Sequence, residues 1–180
     1  MERVGGWMQT YTGGRYYPVD PLPSEVGIED IAHALSMLCR FGGHCHTFYS
    51  VAEHSVHVSR LVPREHALVG LLHDATEAYV CDVPRPLKLS LPEYKNAEHL
   101  NWLAIAAHFS LASSMPAVIK HADNAILHVE QRVLMRPDPG RDWCVGDVGP
   151  IDTRDVRIEC WSPKWARETF FDRYHNLTGK

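Results

Sequence analysis

Apolar residues recur every three or four positions along most of this chain, and this spacing restricts the possible folds more than any other feature. The clearest example is the series Ile28, Ile31, Ala32, Leu35 and Leu38. Such spacing puts the apolar side chains on one face of an α-helix, whereas a half-buried strand would alternate at every second residue. No long segment shows that alternation. The sequence therefore predicts an all-α protein.

Residues that cap or interrupt a helix predict where each helix begins and ends. Ser50 and Glu53 form a capping box, in which the two side chains reciprocally accept hydrogen bonds from free backbone amides. Pro84 ends the third helix, and Ser162, followed by a proline, begins the last one. The helices predicted in this way cover residues 28–38, 50–62, 63–80, 93–111, 117–135 and 163–177.

Two segments lack the helical pattern. Residues 1–27 contain two Gly-Gly pairs and three prolines, which favours an extended N-terminal arm. Residues 137–161 are rich in Pro, Gly and Asp and predict an irregular loop with one short β-like run at 156–160. The single helix after this loop is too small to form its own core. We therefore expect one domain spanning residues 1–180.

Composition excludes several classes of function. Eighteen Lys and Arg against 22 Asp and Glu give a net charge of −4, so duplex nucleic acid is not an expected partner. No apolar run approaches the roughly 20 residues of a membrane span, and the N-terminal residues lack the uninterrupted apolar region typical of a signal peptide. We expect a cytoplasmic protein without membrane contact. The five cysteines form no CxxC pair, which predicts reduced thiols.

His73 and Asp74 interrupt an otherwise apolar helix face. A carboxylate removed from water on such a face needs a compensating charge, and a metal ion supplies more of it than one side chain can. Glu77 lies one turn further along the same face. His54 and Asp123 sit on two other predicted helices, where both can face the same interior. The chain has 12 His in all, which also favours metal or acid/base chemistry.

A set of two His and two Asp offers nitrogen and oxygen ligands suited to a divalent ion such as Zn, Mn, Co, Fe or Ni, and the sequence does not choose among these metals. A second arrangement, a zinc clip built from Cys39, His44, Cys45 and His46, is also conceivable. The spacing between its two cysteines is wrong for such a clip.

Three runs of sequence carry a resemblance to a known family. They are SVAEHS at 50–55, LLHDATEA at 71–78 and DVPRPLK at 82–88. Together with Asp123 they resemble the HD-domain superfamily of metal-dependent phosphohydrolases, and in particular small bacterial and phage enzymes that act on deoxynucleotides. The resemblance covers residues 7–130. It implies a compact HD-domain helical bundle, and a host-cytoplasm location if the gene belongs to a phage.

The resemblance also implies roles for individual residues. His54, His73, Asp74 and Asp123 match the metal ligands. Glu77 and Asp82 match the catalytic acids, and their roles stay undivided here. Arg40 matches the nucleotide anchor, and together with Phe41 it matches an Arg–aromatic pair of the bacterial 5'-deoxynucleotidases. Two further candidates for substrate binding come from residue chemistry: Lys88 could meet phosphate as a point charge, and the backbone at Gly42 could approach a phosphate or base. Ordinary surface charge is an equal alternative for Lys88 and Arg85, and a simple turn is an equal alternative for Gly42. A second ion such as Mg²⁺, carried by the substrate phosphates, is an option.

The implied activity is cleavage of the 5'-phosphoester of a deoxynucleotide, a small-molecule substrate. The compact phage-like form favours a deoxynucleoside triphosphate triphosphohydrolase, with dATP as a candidate substrate. A 5'-deoxynucleotidase acting on dNMPs is the alternative within the same chemistry. A non-catalytic nucleotide-sensing module and an oligonucleotide phosphodiesterase are rivals. A homo-oligomer is possible on the same resemblance, although no heptad or apolar stripe predicts one.

Overall fold

Helices make up nearly all of the regular structure in the computed structural model, which describes residues 3–138, 143 and 145–179. The prediction of an all-α protein is confirmed. We number the helices α1 Ile28–Met37, α2 Val51–Leu61, α3 Ala67–Leu72, α4 Glu77–Val80, α5 Arg85–Lys88, α6 Pro92–His108, α7 Ala117–Leu134 and α8 Pro163–Thr178. Short 3-10 turns lie at Pro23–Glu25, Arg40–Gly43 and Arg64–His66.

Helix α2 lies at the centre of the bundle. Every residue from Val51 to Ser59 is buried, because this helix packs against α1, α3, α7 and α8 at once. A helix surrounded on all sides cannot keep a polar face, so its polar residues must find partners inside the protein. His54, on α2, is one of these fully buried residues.

The N-terminal arm is extended and carries a minimal hairpin. Strand β1 (Met8–Gln9) pairs antiparallel with strand β2 (Arg15–Tyr16). Tyr16 is fully buried, stacks on Tyr79 with ring centroids 3.7 Å apart, and donates a hydrogen bond of 2.7 Å to Asn101 Oδ1. The arm is thus fastened to helix α6 and to helix α4 by one aromatic side chain.

The prediction that residues 63–80 form one helix is wrong. The segment 63–80 contains a 3-10 turn, α3, a turn over residues 73–76, and α4. His73 Nδ1 donates a hydrogen bond of 2.8 Å to the Gly70 carbonyl, so this side chain occupies a backbone acceptor near the end of α3. The next turn tightens to three-residue spacing, as in the hydrogen bond from Glu77 N to Asp74 O of 3.0 Å. The break therefore lies at the His-Asp pair itself.

Three further predictions need correction. Ser50 accepts from Glu53 N at 3.1 Å, but the Glu53 carboxylate does not reach back to complete the capping box. It instead accepts from the amides of residues 159, 160 and 161 at 2.6–3.0 Å. Because those amides are used in this way, the run 156–160 forms no strand. The Pro84 region, predicted to end a helix, also begins the short helix α5.

No helix in the described ranges combines the length and the apolar character required to cross a bilayer.

Candidate metal centre

Three separate elements bring the predicted ligands together. His54 projects from the middle of α2, His73 and Asp74 follow the end of α3, and Asp123 lies in the second turn of α7. The packing of α2 against both α3 and α7 places these elements side by side. His54 is fully buried, and His73 retains 9% exposure. The side chains of Asp74 and Asp123 keep 21% and 17% of their surface, which leaves one side of the group open to solvent.

The ligand atoms converge on a small volume. His54 Nε2 lies 3.3 Å from His73 Nε2 and 3.5 Å from Asp123 Oδ1. The ligand atoms of His54, His73 and Asp123 all fall within 4.8 Å of one another. Asp74 Oδ2 is 3.2 Å from His73 Nε2 and 3.5 Å from His54 Nε2. Such distances are those expected of donor atoms that share one cation.

The hydrogen bonds on the far sides of the two imidazoles test whether these residues fit a metal. His73 Nδ1 faces the Gly70 carbonyl at 2.8 Å, and His54 Nδ1 faces the Glu130 carboxylate at 2.7 Å. Both partners only accept hydrogen bonds, so in each neutral ring Nδ1 carries the proton and Nε2 directs a lone pair inward. When both rings are neutral, two lone pairs and two carboxylates meet, and a cation can take the place of the proton that His54 holds in the metal-free protein. A cation fits this arrangement.

The charges of the group shift the pKa values of its members. Burial alone would raise the pKa of Asp74 and of Asp123, but the adjacent imidazoles of His73 and His54 hold both pKa values well below the usual range. Burial lowers the pKa of His54, and the carboxylates of Glu130 and Asp123 outweigh it and raise this pKa to about 9. The pocket therefore favours positive charge at its centre.

The two predicted acids lie next to the ligands. Glu77 opens helix α4 and is 5% exposed, and its Oε2 is buried without a hydrogen-bond partner. Burial, together with the negative charges of Asp74 and Asp82, raises the pKa of Glu77 well above its usual value. Burial also raises the pKa of Asp82. Such carboxyl groups hold a proton to a higher pH than exposed carboxyl groups do.

The Arg40 side chain is buried within the site, where it is paired with two carboxylates. It is 8% exposed, its Nη1 lies 3.5 Å from Asp74 Oδ2, and its Nη2 donates to Glu130 Oε2 at 3.1 Å. Burial lowers the pKa of Arg40, but the carboxylates of Glu130 and Asp74 more than offset this and raise it. The guanidinium thus balances two buried negative charges, and its Nε has no partner.

The turn after Arg40 has an unusual backbone. Phe41, Gly42 and Gly43 all adopt left-handed conformations, with φ of 58°, 58° and 80°. Glycine accepts such values without cost, whereas Phe41 is strained there. The Phe41 ring lies 5.6 Å from the ring of Trp143. The predicted substrate residues Phe41 and Gly42 therefore stand on a tight turn that begins at Arg40.

Cationic side chains surround the open side of the group. Lys120 Nζ lies 2.6 Å from Asp123 Oδ2, and Arg85 Nη2 lies 3.6 Å from the same oxygen. Lys88 makes an ion pair of 2.7 Å with Glu98. The charge of Lys88 also reaches Glu77 and Asp82, where it opposes the rise in their pKa values.

Comparison with known proteins identifies relatives but no activity. No family model matches the chain. An uncharacterized protein of Escherichia coli, YfdR, is 38% identical over 172 residues, which cover 96% of this chain and 96% of YfdR. The chain belongs to the YfdR family. An uncharacterized protein of Rhodobacter capsulatus is 32% identical over 186 aligned positions, covering 95% of each chain. Chemistry in the YfdR family must therefore be argued from the site.

Sequence reasoning missed Glu130, which contacts the side of His54 that faces away from the other ligands. Glu130 is fully buried and accepts from His54, Tyr49 and Arg40. One signal could have found it: Glu130 follows Asp123 by seven positions, which is two turns of the same helix. For Tyr49, which precedes α2, the sequence offers no comparable signal.

The alternative zinc clip does not assemble. Cys39 Sγ and Cys45 Sγ lie 3.5 Å apart, but His46 is bound to Thr47 and to the carbonyl of Val133. Over the described part of the chain, His54, His73 and Asp123 form the one group of three or more potential ligands. The chain thus has one candidate metal centre there, and its three members are among the four predicted ligands. The fourth, Asp74, lies outside this group of three, although its Oδ2 is 3.2 Å from His73 Nε2.

Proposed function

We propose that this protein is a metal-dependent phosphohydrolase of the HD-domain type that cleaves the 5'-phosphoester bond of deoxynucleotides. The single observation that carries the proposal is the convergence of His54, His73, Asp74 and Asp123, in which His54 Nε2 lies within 3.5 Å of a donor atom of each of the other three. These four are the residues that the HD-domain resemblance selects. The carboxyl groups of Glu77, which is buried, and Asp82, which is partly exposed, supply the acid and base that phosphoester hydrolysis requires.

A divalent cation held by these ligands supplies Lewis acidity, which acidifies water and polarises a phosphoryl oxygen. The residues of the chain manage the protons. Glu77, the more deeply buried of the two acids, holds a proton at Oε2 and delivers it to the departing 5'-oxygen. Asp82 orients the attacking water and accepts its proton. Arg40 neutralises the carboxylates and so keeps the site from repelling the phosphate.

The cations at the rim favour a substrate with several phosphates. Lys120 and Arg85 rest against Asp123 Oδ2 and can turn to a phosphate chain once that carboxylate ligates a metal. A deoxynucleoside triphosphate, with dATP as the first candidate, would then yield the deoxynucleoside and triphosphate. A second ion such as Mg²⁺ would arrive with the phosphates. Phe41 and Gly42 would lie toward the nucleoside.

The second candidate is a 5'-deoxynucleotidase acting on dNMPs. The ion pair of Lys88 with Glu98 favours this alternative, because it removes one cation from those that could bind a longer phosphate chain. The bond that breaks is the same, so the two candidates differ only in the released product.

Hydrolysis assays distinguish these possibilities. The protein loaded in turn with Zn²⁺, Mn²⁺, Co²⁺, Fe²⁺ or Ni²⁺ is given each dNMP, each dNTP and a short oligonucleotide, and the released phosphate species are separated by ion chromatography. Triphosphate from a dNTP supports the main proposal, and orthophosphate from dNMPs alone supports the second candidate. The Asp74→Ala protein, purified in parallel, exposes any contaminating phosphatase. Both candidates would be excluded if only oligonucleotides were hydrolysed, or if no substrate were hydrolysed with any of the metals.

A further inference from the structure

Glu130 is the most completely enclosed charge in the site. It lies on α7 with no exposed surface, and three donors point at its carboxylate. His54 Nδ1 approaches Oε1 at 2.7 Å, Tyr49 Oη donates to the same oxygen at 2.8 Å, and Arg40 Nη2 donates to Oε2 at 3.1 Å. A carboxylate this deep persists only when its hydrogen bonds and its charge are both satisfied.

The contact with His54 fixes the position of the imidazole ring and also determines which ring nitrogen carries the proton. Because an ionised carboxylate can only accept, the proton of a neutral His54 must lie on Nδ1, and Nε2 is left with a lone pair. That Nε2 lies 3.3 Å from His73 Nε2 and 3.5 Å from Asp123 Oδ1. A hydrogen bond from the far nitrogen to a carboxylate also makes the near nitrogen a stronger ligand.

The contact with Arg40 joins a second part of the site to the same carboxylate. Arg40 stands at the start of the left-handed turn and also lies 3.5 Å from Asp74 Oδ2. One guanidinium therefore spans Glu130 and Asp74, a proposed ligand. A displaced Glu130 side chain would therefore shift the ligand His54 directly and the ligand Asp74 through Arg40.

We propose that Glu130 is the positioning residue of the metal centre, which holds His54 in its metal-binding tautomer and, through Arg40, keeps Asp74 in place. This inference rests on the proposed metal chemistry but assigns a role that the activity alone does not require. Glu130 touches neither the proposed cation nor the substrate, so its contribution is measured in the affinity of the protein for metal.

Glu130→Gln is the variant that tests this role, since it keeps the shape of the side chain and removes its charge. Glu53→Gln is a matched control: Glu53 is equally buried and adjacent to His54 in sequence, and its carboxylate instead holds the amides of residues 159–161. The dissociation constant for Zn²⁺ is measured by competition with a chelating dye, and the melting temperature of each metal-free protein is recorded beside it.

We expect Glu130→Gln to weaken Zn²⁺ binding by about 10- to 100-fold, and Glu53→Gln to bind Zn²⁺ as the unmodified protein does, even if it melts earlier. Equal Zn²⁺ affinity of Glu130→Gln and the unmodified protein would overturn the positioning role and leave the proposed function standing. Equal weakening in both variants would overturn it as well, since the effect would then be general loss of stability. If the unmodified protein binds none of the transition metals, both proposals fail.

A second measurement needs no folded variant of Glu130. Long-range ¹H–¹⁵N correlation spectra of the unmodified Zn²⁺-loaded protein report the protonated nitrogen of each imidazole, and the His54 signals are assigned by their absence in His54→Gln. We expect a proton on Nδ1 of His54 that exchanges slowly with solvent. A proton on Nε2 of His54 would contradict the inference.

Discussion

At the scale of single residues, Asp74 connects the parts of the candidate site. Its Oδ2 lies within 3.5 Å of His54, His73 and Arg40, and its negative charge helps raise the pKa of Glu77. Much of this was predictable from the sequence, because a carboxylate beside a histidine on an apolar helix face needs a compensating charge. The position of Arg40 was not, since sequence does not show that its charge turns inward.

Asp74→Ala should remove a ligand and the partner of Arg40 together, leaving that cation partly uncompensated. We expect loss of bound metal and of hydrolysis in parallel. Metal content after dialysis, read by atomic absorption, and turnover of the best substrate check this. Asp155→Ala, at an exposed aspartate away from the ligands, is the control and should keep both. Full metal content in Asp74→Ala would exclude Asp74 as a ligand.

Glu77→Gln should keep the metal but lower turnover by about two to four orders of magnitude, because the proton donor is lost. Its effect on stability depends on pH. The pKa of Glu77 in the folded, metal-free protein is raised above its ordinary 4.5, so unmodified protein loses stability as pH rises from that value through the raised pKa. Urea unfolding should therefore find metal-free Glu77→Gln more stable than the unmodified protein at pH 8, with a smaller gap at pH 4.

The exposed Glu65→Gln serves as the control for that comparison. It should change neither turnover nor the dependence of stability on pH. A rate for Glu77→Gln equal to that of the unmodified protein would reduce Glu77 to a structural residue.

At the scale of elements, the sequence predicted some helices far better than others. Helix α7 was placed within one residue at each end, because Pro116 and an uninterrupted apolar period define it. The segment 63–80 was misread as one helix, because the side chain of His73 hydrogen-bonds locally to the Gly70 carbonyl, a contact that apolar periodicity does not reveal. Glu130 was overlooked for a similar reason: its importance comes from partners on other elements.

The contact between α2 and α3 depends on the small size of Gly70. A Cβ added there would lie 3.1 Å from the Ser59 Cα and 3.1 Å from Val62 Cγ2. Gly70→Ala should therefore push the two helices apart, destabilise the protein by about 1–3 kcal/mol, and weaken metal binding by moving His73 away from His54. Urea unfolding and a Zn²⁺ titration measure the two effects.

Gly6→Ala is the matched control, since nothing lies within 4 Å of the added atom. It should leave both quantities near those of the unmodified protein. A Gly70→Ala protein as stable as this control would show that the helices adjust freely.

At the scale of the whole molecule, the metal centre connects helices from distant parts of the chain. His54 lies on α2, His73 in the turn after α3 and Asp123 on α7, and without a cation the carboxylates of Asp74 and Asp123 repel each other. A ligand that binds only the folded state stabilises it. The metal should therefore contribute to the stability of the entire bundle and not only to catalysis.

Chelation should lower the melting temperature. Free metal at 100 times its dissociation constant contributes about 2.7 kcal/mol, which corresponds to roughly 5–10 °C in a protein of this size. Differential scanning calorimetry with Zn²⁺ and with EDTA measures the difference. The same comparison on His73→Ala should show no difference in melting temperature. A large effect of EDTA on that variant would place the stabilising metal elsewhere.

Two adjacent residues of α2 contact different parts of the molecule. Glu53 binds the amides of residues 159–161, close to where α8 begins, while His54 belongs to the metal centre. Within the described chain the two side chains share no partner, so a weaker hold on residues 159–161 would loosen the start of α8 without removing a ligand. Substitutions near residues 159–161 should then lower the stability of the protein and leave its metal loading intact, as the Glu53→Gln control does.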